Sequence, residues 1–523
     1  MAVLGAVHAL SFAPQPLPAA LLPFVQLISF ALLVYFCLKA PTTKAAVAKA
    51  WVFGFAQFSV GLYWFYISLH YYGSLAPLLA ALAVALFAAA MALYYAIAVL
   101  ISRWLIPTGK LGVGAQLAAA VVWASSWTLL EWVRGTFFTG FPWLNIGYAH
   151  VDGMFAGWAT VLGVYGVAWF AAFTAACLAL FALNNSSTAP KTQALPLGLA
   201  VVGAGLGIVL AGIPWHSPHG DPFIVRLAQG NVDQNLKFDP RHLRQGVERY
   251  QQLAALEAKD PASKPTLILL PETVIPTFQH QWPASDWQRW IDIAIAQNAT
   301  LLLGVPLYTS GQTPSYTNSI IAIDPTTTVE QIQKLTLSQR YDKHHLVPFG
   351  EFIPQGFRWF VDLLQIPLGD FNRGATRQAN FSVNEQYIGP DICYEDVFGE
   401  EIIQSVRAHP ELGPGATVLV NLSNLGWFGD SWALRQHLQI ARMRSIESAR
   451  PMLRATNTGI SAAILPNGKI QAAAEPHSLS VLDVEVQATS GLSPYARWSN
   501  KPIVIISLLL LVLSAWRLRS ANH

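Results

Sequence analysis

Two periodicities divide this chain. As far as residue 214 the apolar positions run on with few polar breaks. Long apolar runs lie at 17–38, 50–70, 76–100, 113–133, 155–182 and 195–213. Wound as helices rising 1.5 Å per residue, each is long enough to cross ~30 Å of hydrocarbon. A further run, PIVIISLLLLVLSAW at 502–516, has no charged residue inside it. The stretch MAVLGAVHALSFAP at 1–14 is apolar but brief: an eighth, clipped span or a surface segment. It lacks the charged leader and cleavage site of a signal peptide. The sequence therefore predicts seven or eight spans. From residue 222 the pattern shortens. PFIVRLA, PTLILLPET, ATLLLGVPLY, NSIIAI, QYIGPDICYED, ATVLVNLSN, MLRATNTG and SAAIL read as strands, and several are apolar throughout, as strands covered on both faces are. Helical patterns at 242–258, 286–298 and 431–450 alternate with them, the last carrying Leu434, Leu438, Ala441 and Ile446 on one stripe. Strands alternating with helices argue a layered α/β domain. The expected organisation is a helical bundle at 1–213, an α/β domain at 214–501, and a last span with its tail at 502–523. Pro- and Gly-rich stretches at 213–222 and 488–494 read as joints.

Charge sharpens this division. Only 12% of the 523 residues are charged, against about 25% in a soluble domain. Nine of the charges lie before residue 214, and the other 52 follow it. Lys39, Lys44 and Lys49 share one short loop, Arg103 and Lys110 another; Lys191 marks a third, and Arg517 and Arg519 follow the last span. Basic loops alternate with spans, which places those loops in the cytoplasm and the α/β domain on the opposite side. The net charge of +3 has no basic block behind it, so nucleic acid is a poor partner. Three cysteines exclude a disulfide scaffold. Tyr63, Trp64, Tyr66, Tyr71, Tyr72, Trp132, Trp143 and Tyr148 crowd the outer ends of the spans, as an interfacial belt or the wall of a lipid-entry cleft. Glu131 and Arg134, one turn apart, either mark a span end or bind a polar headgroup. VVGAGLG at 201–207 reads as close helix packing.

The chemistry gathers in the α/β domain. Cys393, in GPDICYEDVFGE, follows an apolar strand and precedes a helical pattern, so its sulfur falls at the carboxyl end of a strand. Glu272 closes LILLPET, Lys343 lies in RYDKHHLVPFGEFIP with Glu351 eight residues on, and Glu395 is two residues past the cysteine. An acid, an amine and a thiol in such settings suggest a base, a cation for an oxyanion and a nucleophile. Cys37 and Cys177 sit in spans and read as structural. His344 and His345 are adjacent, a poor arrangement for ligating one ion, and no metal or cofactor is expected.

These residues carry a resemblance. LAQGNVDQNLKFDP at 227–240, LLPETVIP at 269–276, YDKHHLVPFGEFIP at 341–354, ICYED at 392–396, NLSNLGWFGDSWALRQHLQIARMRSIESARP at 421–451 and RATNTGISAAILPNGK at 454–469 resemble the apolipoprotein N-acyltransferases. These are bacterial inner-membrane members of the carbon–nitrogen hydrolase (nitrilase) superfamily. The resemblance covers nearly the whole chain. It implies an αββα sandwich facing the periplasm on a membrane bundle, and a Glu–Lys–Cys triad: Glu272 as base, Lys343 at the oxyanion, Cys393 as nucleophile. It further implies that Glu351 orients Lys343, that Tyr394 and Glu395 flank the nucleophile, and that Trp427 lies at the mouth of the site. Phe238 stands where relatives tend to carry Trp, and Asn424–Leu425–Gly426 where they often have Asn–Asp–Ala.

The reaction so implied is a two-step acyl transfer by a single chain without cofactor. A phospholipid, typically phosphatidylethanolamine through its sn-1 chain, acylates Cys393. The α-amine of an S-diacylglyceryl cysteine on an apolipoprotein then takes the acyl group. The apolar segment 352–369, with Trp359 and Phe360, reads as a packed arm or as a lid dipping into lipid. Two other readings remain open from sequence: a membrane-tethered amidase or nitrilase that releases its product to water, and a scaffold or transporter with an inactive domain.

Overall fold

The computed structural model describes residues 1–15, 17–106, 112–184, 190–258, 260–311, 313–354, 356, 358 and 370–521. The chain forms two compact units, Met1–Pro214 with Ser493–His523, and Trp215–Leu492. Residues 493–501, placed by sequence with the α/β domain, thus cluster with the bundle.

Among the described residues of the first unit, five helices are long and apolar enough to cross a membrane: Ala19–Leu38, Pro77–Leu105, Val113–Thr139, Ala156–Leu183 and Ala194–Ala211. The pair Thr43–Gly61 and Trp64–Tyr72, bent by 50°, makes six if taken as one span. Five or six of the seven or eight expected spans are thus met among the described residues. The N-terminal helix Ala2–Ala9 has eight residues, ~12 Å of rise, too little to cross. The last helix, Lys501–Ala521, is not among the five. Of the glycines at 201–207, Gly207 serves close packing, since a β-carbon on Gly157 would lie 2.1 Å from its carbonyl oxygen, whereas a β-carbon on Gly205 would meet nothing within 4 Å.

Two expectations about polar and aromatic groups change here. Trp64, Trp143 and Tyr148 are buried, and Trp64 packs on Trp143 with ring centroids 5.3 Å apart, so these aromatics are core; Tyr71, 68% exposed, is not. Glu131 and Arg134 are buried and paired inward. Arg134 donates to the carbonyls of Phe141 (2.5 Å) and Trp143 (2.7 Å), and Glu131 accepts from the N–H of Ile146 (3.2 Å). They pin the loop after their helix from within the bundle.

The second unit is built on two six-stranded sheets. We number its main strands β1 Phe223–Gln229, β2 Leu267–Leu269, β3 Thr300–Thr309, β4 Ser315–Ile323, β5 Arg340–Asp342, β6 Phe381–Val383, β7 Gln386–Ile392, β8 Val418–Ser423, β9 Met452–Thr456, β10 Ala462–Ile464, β11 Ile470–Ala473 and β12 Ser480–Val486. One sheet runs β12-β1-β2-β3-β4-β5, the other β11-β10-β9-β8-β7-β6. Each has three parallel strands at its centre, β1-β2-β3 and β7-β8-β9, with antiparallel strands outside.

The apolar runs now have a cause. Side chains alternate across a strand. Leu267, Leu269 and Leu302 point to a core shared with Val420, Leu422 and Leu453 of the other sheet. Ile268, Leu270, Leu301 and Leu303 point the other way, against Tyr250 of the helix Leu243–Ala254 and Trp287 and Trp290 of the helix Ala284–Gln297. The helices Gly399–Val406 and Trp432–Ser448 pack on β7 and β9 of the second sheet. The layers are helix, sheet, sheet, helix.

Candidate active site

The parallel strands bring their carboxyl ends to the chemistry. Glu272 lies just past β2, Lys343 follows β5, Cys393 follows β7 and Asn424 follows β8. Gly304 of β3 makes room for the Glu272 turn. A β-carbon there would stand 2.6 Å from the Glu272 α-carbon and 2.4 Å from the Thr273 nitrogen, and the Gly304 N–H donates to the Pro271 carbonyl at 3.1 Å.

Glu272 is nearly buried, and both of its oxygens are engaged. Oε1 accepts from Asn318 Nδ2 at 2.7 Å and from Lys343 Nζ at 3.4 Å; Oε2 accepts from the Asn424 N–H at 2.9 Å. Lys343, 1% exposed, also donates to Glu351 Oε1 at 2.8 Å. Asn318 Nδ2 donates to that same Glu351 oxygen at 2.8 Å, and Glu351 Oε2 accepts from the Val347 N–H at 2.8 Å. Burial alone would lower the Lys343 pKa, but the Glu351 and Glu272 carboxylates outweigh it and hold the ammonium well above its ordinary value. Two of its three donors are spent on carboxylates, leaving one for an incoming oxygen.

Cys393 sits on a sharp strand-to-helix turn with φ +53°, a backbone region costly for a residue with a β-carbon. Its carbonyl accepts from Asn421 Nδ2 (3.2 Å) and from His437 Nε2 (3.1 Å), which hold the turn from beneath. Because Nε2 donates, Nδ1 of His437 accepts from Arg454 at 2.6 Å, and Arg454 pairs with Asp396. Burial and the Arg454 charge keep His437 neutral, well below the usual histidine range. The Cys393 side chain is partly exposed, the opening a substrate carbonyl requires. Enclosure and the Glu272 charge push its thiol up, against an opposing pull from Lys343. At rest it is a thiol within the field of the Glu272 carboxylate.

Glu395 is the tie between the two sheets' loops. Its carboxylate accepts from the N–H groups of Ile392 (2.7 Å), His344 (2.7 Å) and His345 (2.9 Å) and from Tyr341 Oη (2.9 Å). One side chain thereby fixes the turn that bears Cys393 against the segment that bears Lys343. Burial raises its pKa, and the His345 N–H and the Lys343 charge pull it down. His344 and His345 are committed elsewhere: His344 Nδ1 lies 2.9 Å from the Gly374 carbonyl, and His345 Nδ1 lies 2.9 Å from Glu401.

Two family models account for most of the chain: the apolipoprotein N-acyltransferase N-terminal domain over residues 4–177, and carbon–nitrogen hydrolase over residues 224–495. The chain is 49% identical to an apolipoprotein N-acyltransferase of Bordetella bronchiseptica over 99% of its own length and 96% of that protein. It is 40% identical to one from Ralstonia nicotianae, over 100% and 93%. The chain belongs to the apolipoprotein N-acyltransferase family. It is a multi-pass membrane acyltransferase with a carbon–nitrogen hydrolase domain. Among solved structures it is similar to a carbon–nitrogen hydrolase superfamily protein from Xanthomonas campestris, at 18% identity and a TM-score of 0.37, covering 55% of this chain and 97% of that one.

As an apolipoprotein N-acyltransferase family member, the chain places its remaining candidate residues as follows. Tyr394 is buried, edge-on to Phe398 at 5.3 Å and near His345 at 5.9 Å. Phe238 and Trp427, 45% and 38% exposed, stack at 6.1 Å and form an aromatic surface beside the site. Trp359 and Phe360, with most of the segment 352–369, lie outside the described residues. The departure at Asn424–Leu425–Gly426 leaves local bonding intact: Asn424 Nδ2 donates to Gln234 at 2.9 Å, and Asn424 Oδ1 accepts from Asn457 at 3.1 Å. Asn318, Asn421, His437 and Lys237 were not singled out by sequence. Asn421 did leave one signal, a polar residue inside the apolar run of β8, which is seldom there without a partner, whereas Asn318 lies in the polar half of β4.

Proposed function

We propose that this protein transfers an acyl chain from a membrane phospholipid, through a thioester on Cys393, to the N-terminal amine of an S-diacylglyceryl cysteine on an apolipoprotein. What carries the reading is the meeting of Lys343 with Glu272 and Glu351 at 3.4 and 2.8 Å, at the strand ends that also bear Cys393, in a chain whose other unit is a membrane bundle. In the first step Glu272 takes the thiol proton as the sulfur attacks the ester carbonyl. The free Lys343 donor, with a backbone N–H, stabilises the oxyanion. The carbon–oxygen bond then breaks, the leaving alkoxide takes the proton from Glu272, and a lysophospholipid departs. In the second step the amine attacks the thioester, Glu272 takes its proton, the carbon–sulfur bond breaks, and the thiolate is reprotonated. An amide results, at no further energy input, because a thioester is the more reactive acyl group.

Both substrates carry chains worth ~0.8 kcal/mol per CH₂ in apolar surroundings. Drawing either into water would cost on the order of 10 kcal/mol, which favours an enzyme held in the membrane. In this reading phosphatidylethanolamine donates its sn-1 chain, the α/β unit faces the periplasm of a bacterial inner membrane, and Trp427 with Phe238 lines the approach. Trp359 and Phe360 take part in binding the lipid substrates. Mass spectrometry after exposure to labelled phospholipid is the test. The native chain should gain one acyl group on Cys393, discharged by a diacylated lipopeptide and not by water, and Cys393→Ala should gain none. Discharge by water alone would make the enzyme a hydrolase and overturn the proposal.

A further inference from the structure

Two of the site's turns have a main-chain carbonyl gripped by buried side chains. The Glu272 carbonyl accepts from Lys237 Nζ at 3.0 Å. The Cys393 carbonyl accepts from Asn421 Nδ2 at 3.2 Å and from His437 Nε2 at 3.1 Å. His437 is 1% exposed and comes from the helix Trp432–Ser448, in the layer outside the second sheet. It has no part in the steps above.

The partners of its ring assign its two nitrogens. A carbonyl only accepts, so Nε2 carries the hydrogen. A guanidinium only donates, so Nδ1, 2.6 Å from Arg454, offers its lone pair. The Asp396 carboxylate stands 3.6 Å from Nε2, beyond hydrogen-bond reach, and pairs with Arg454 instead. A row of donors therefore runs from the Arg454 cation through the ring to the Cys393 carbonyl, and in such a row each bond polarises the next. The row ends on the peptide unit between Cys393 and Tyr394. A trans peptide is planar, with its C=O and N–H on opposite sides. With the carbonyl held into the buried layer, the Tyr394 N–H is directed away from it.

We infer that His437 is a positioning residue of the acyl-transfer step: by holding and polarising the Cys393–Tyr394 peptide it aims the backbone N–H that meets the oxyanion. This rests on Cys393 as the nucleophile of the proposed transfer, though on no particular acyl donor. Two reactions of one sulfur separate that role from structural support. Acylation by p-nitrophenyl butyrate passes through an oxyanion, the sulfur taking the butyryl group as p-nitrophenolate leaves. Alkylation by iodoacetamide displaces iodide and forms none. Both are run on the full-length protein without lipid at one alkaline pH, with peptide mass spectrometry to confirm Cys393 as the site. His437→Asn puts an amide oxygen where Nδ1 stands, keeping a partner for Arg454, but falls short of the carbonyl. It should slow acylation about tenfold, less than the ~100-fold or more that follows outright loss of an oxyanion donor. KM for the ester and the alkylation rate should stay native. His437→Gln, whose amide nitrogen reaches the place of Nε2, should restore acylation. His437→Leu repeats the case without a donor should the asparagine variant not fold, as judged by circular dichroism. Native acylation in a folded variant without the donor would overturn the proposal. So would acylation and alkylation falling together, or a glutamine variant as slow as the asparagine one. Butyryl transfer to Cys393 with none from phospholipid would sink the proposed function and leave the His437 comparison standing; a Cys393 acylated by neither ester would sink both.

Discussion

Asn318 holds the two acids of the site with a single amide nitrogen, 2.7 Å from Glu272 and 2.8 Å from Glu351. Replacing that donor with an acceptor inverts its effect. Asn318→Asp places a third carboxylate between two others, and like charges at such distances cannot all stay ionised. The cluster would then take up a proton, and the acidic limb of the pH–rate profile should move upward; an unmoved limb in a folded variant would show that Asn318 does not govern the site's acids. Glu272→Gln keeps the shape and loses the base, and acyl-enzyme formation should fall by about 100-fold or more. The pH dependence of the thiol follows from its raised pKa. Cys393 stays protonated at neutral pH, so its alkylation in the lipid-free protein should be slow there and climb only in the alkaline range, above the ~8.5 of a free thiol. Glu272 and Cys393 were legible because each is a polar group at the end of an apolar run, and Lys343, in a polar stretch, through the motif YDKHHLVPFGEFIP. His437 and Lys237 were not. His437 lies in a helix whose stripe explains its neighbours, and Lys237, in the run KFDP, looks like any solvated surface charge. Only the fold brings one under the Cys393 carbonyl and the other against Glu272.

At the scale of the element, the loops that bear the site are set by short contacts rather than by their own sequence. Glu395 gathers three backbone N–H groups and one hydroxyl from two segments some fifty residues apart. Glu395→Gln keeps the volume but turns an amide N–H₂ toward donors, and each buried group left unpaired costs about 1–3 kcal/mol. Thermal stability and acyl-enzyme formation should both fall; Tyr341→Phe, which removes one bond, should cost about 1 kcal/mol. Gly304→Ala tests the other wall. Its methyl group would press on the Glu272 α-carbon, so turnover should drop sharply with strand content by circular dichroism retained. The alternation of strand and helix was readable because burial on both faces leaves runs such as LILL and LLLGV. The close fit of Gly304 under Glu272 was not, since a glycine inside a strand looks the same whether it clears a neighbour or merely weakens the strand.

The whole molecule joins an α/β sandwich to a helical bundle, and the sequence showed that division through the scarcity of charge before residue 214. Hydropathy does not see geometry. The run at 50–70 breaks at Leu62 into two helices bent by 50°, and the first fourteen residues make only eight residues of helix. Nor does hydropathy distinguish an aromatic belt from an aromatic core, which is why Trp64 and Trp143 were placed at the lipid surface when they pack on each other. The proposed orientation has a direct check. In cells, cysteines at Lys44 and at Thr326, both exposed, should react with a membrane-impermeant maleimide from opposite sides, only Thr326→Cys being labelled from the periplasm. Labelling of both from one side would reject that orientation.

Glu272 and Lys343 hang from one sheet and Cys393 from the other. A centre divided in this way measures how its two leaves are stacked. Slippage of about 1 Å would part sulfur from acid and amine, enough to cost about 100-fold in rate, while every strand kept its ladder. On gentle heating or in dilute urea, turnover should therefore disappear before the amide spectrum changes. Substitutions that thin the shared seam, such as Val420→Ala, should silence the enzyme from a distance, without touching any residue that handles the acyl chain.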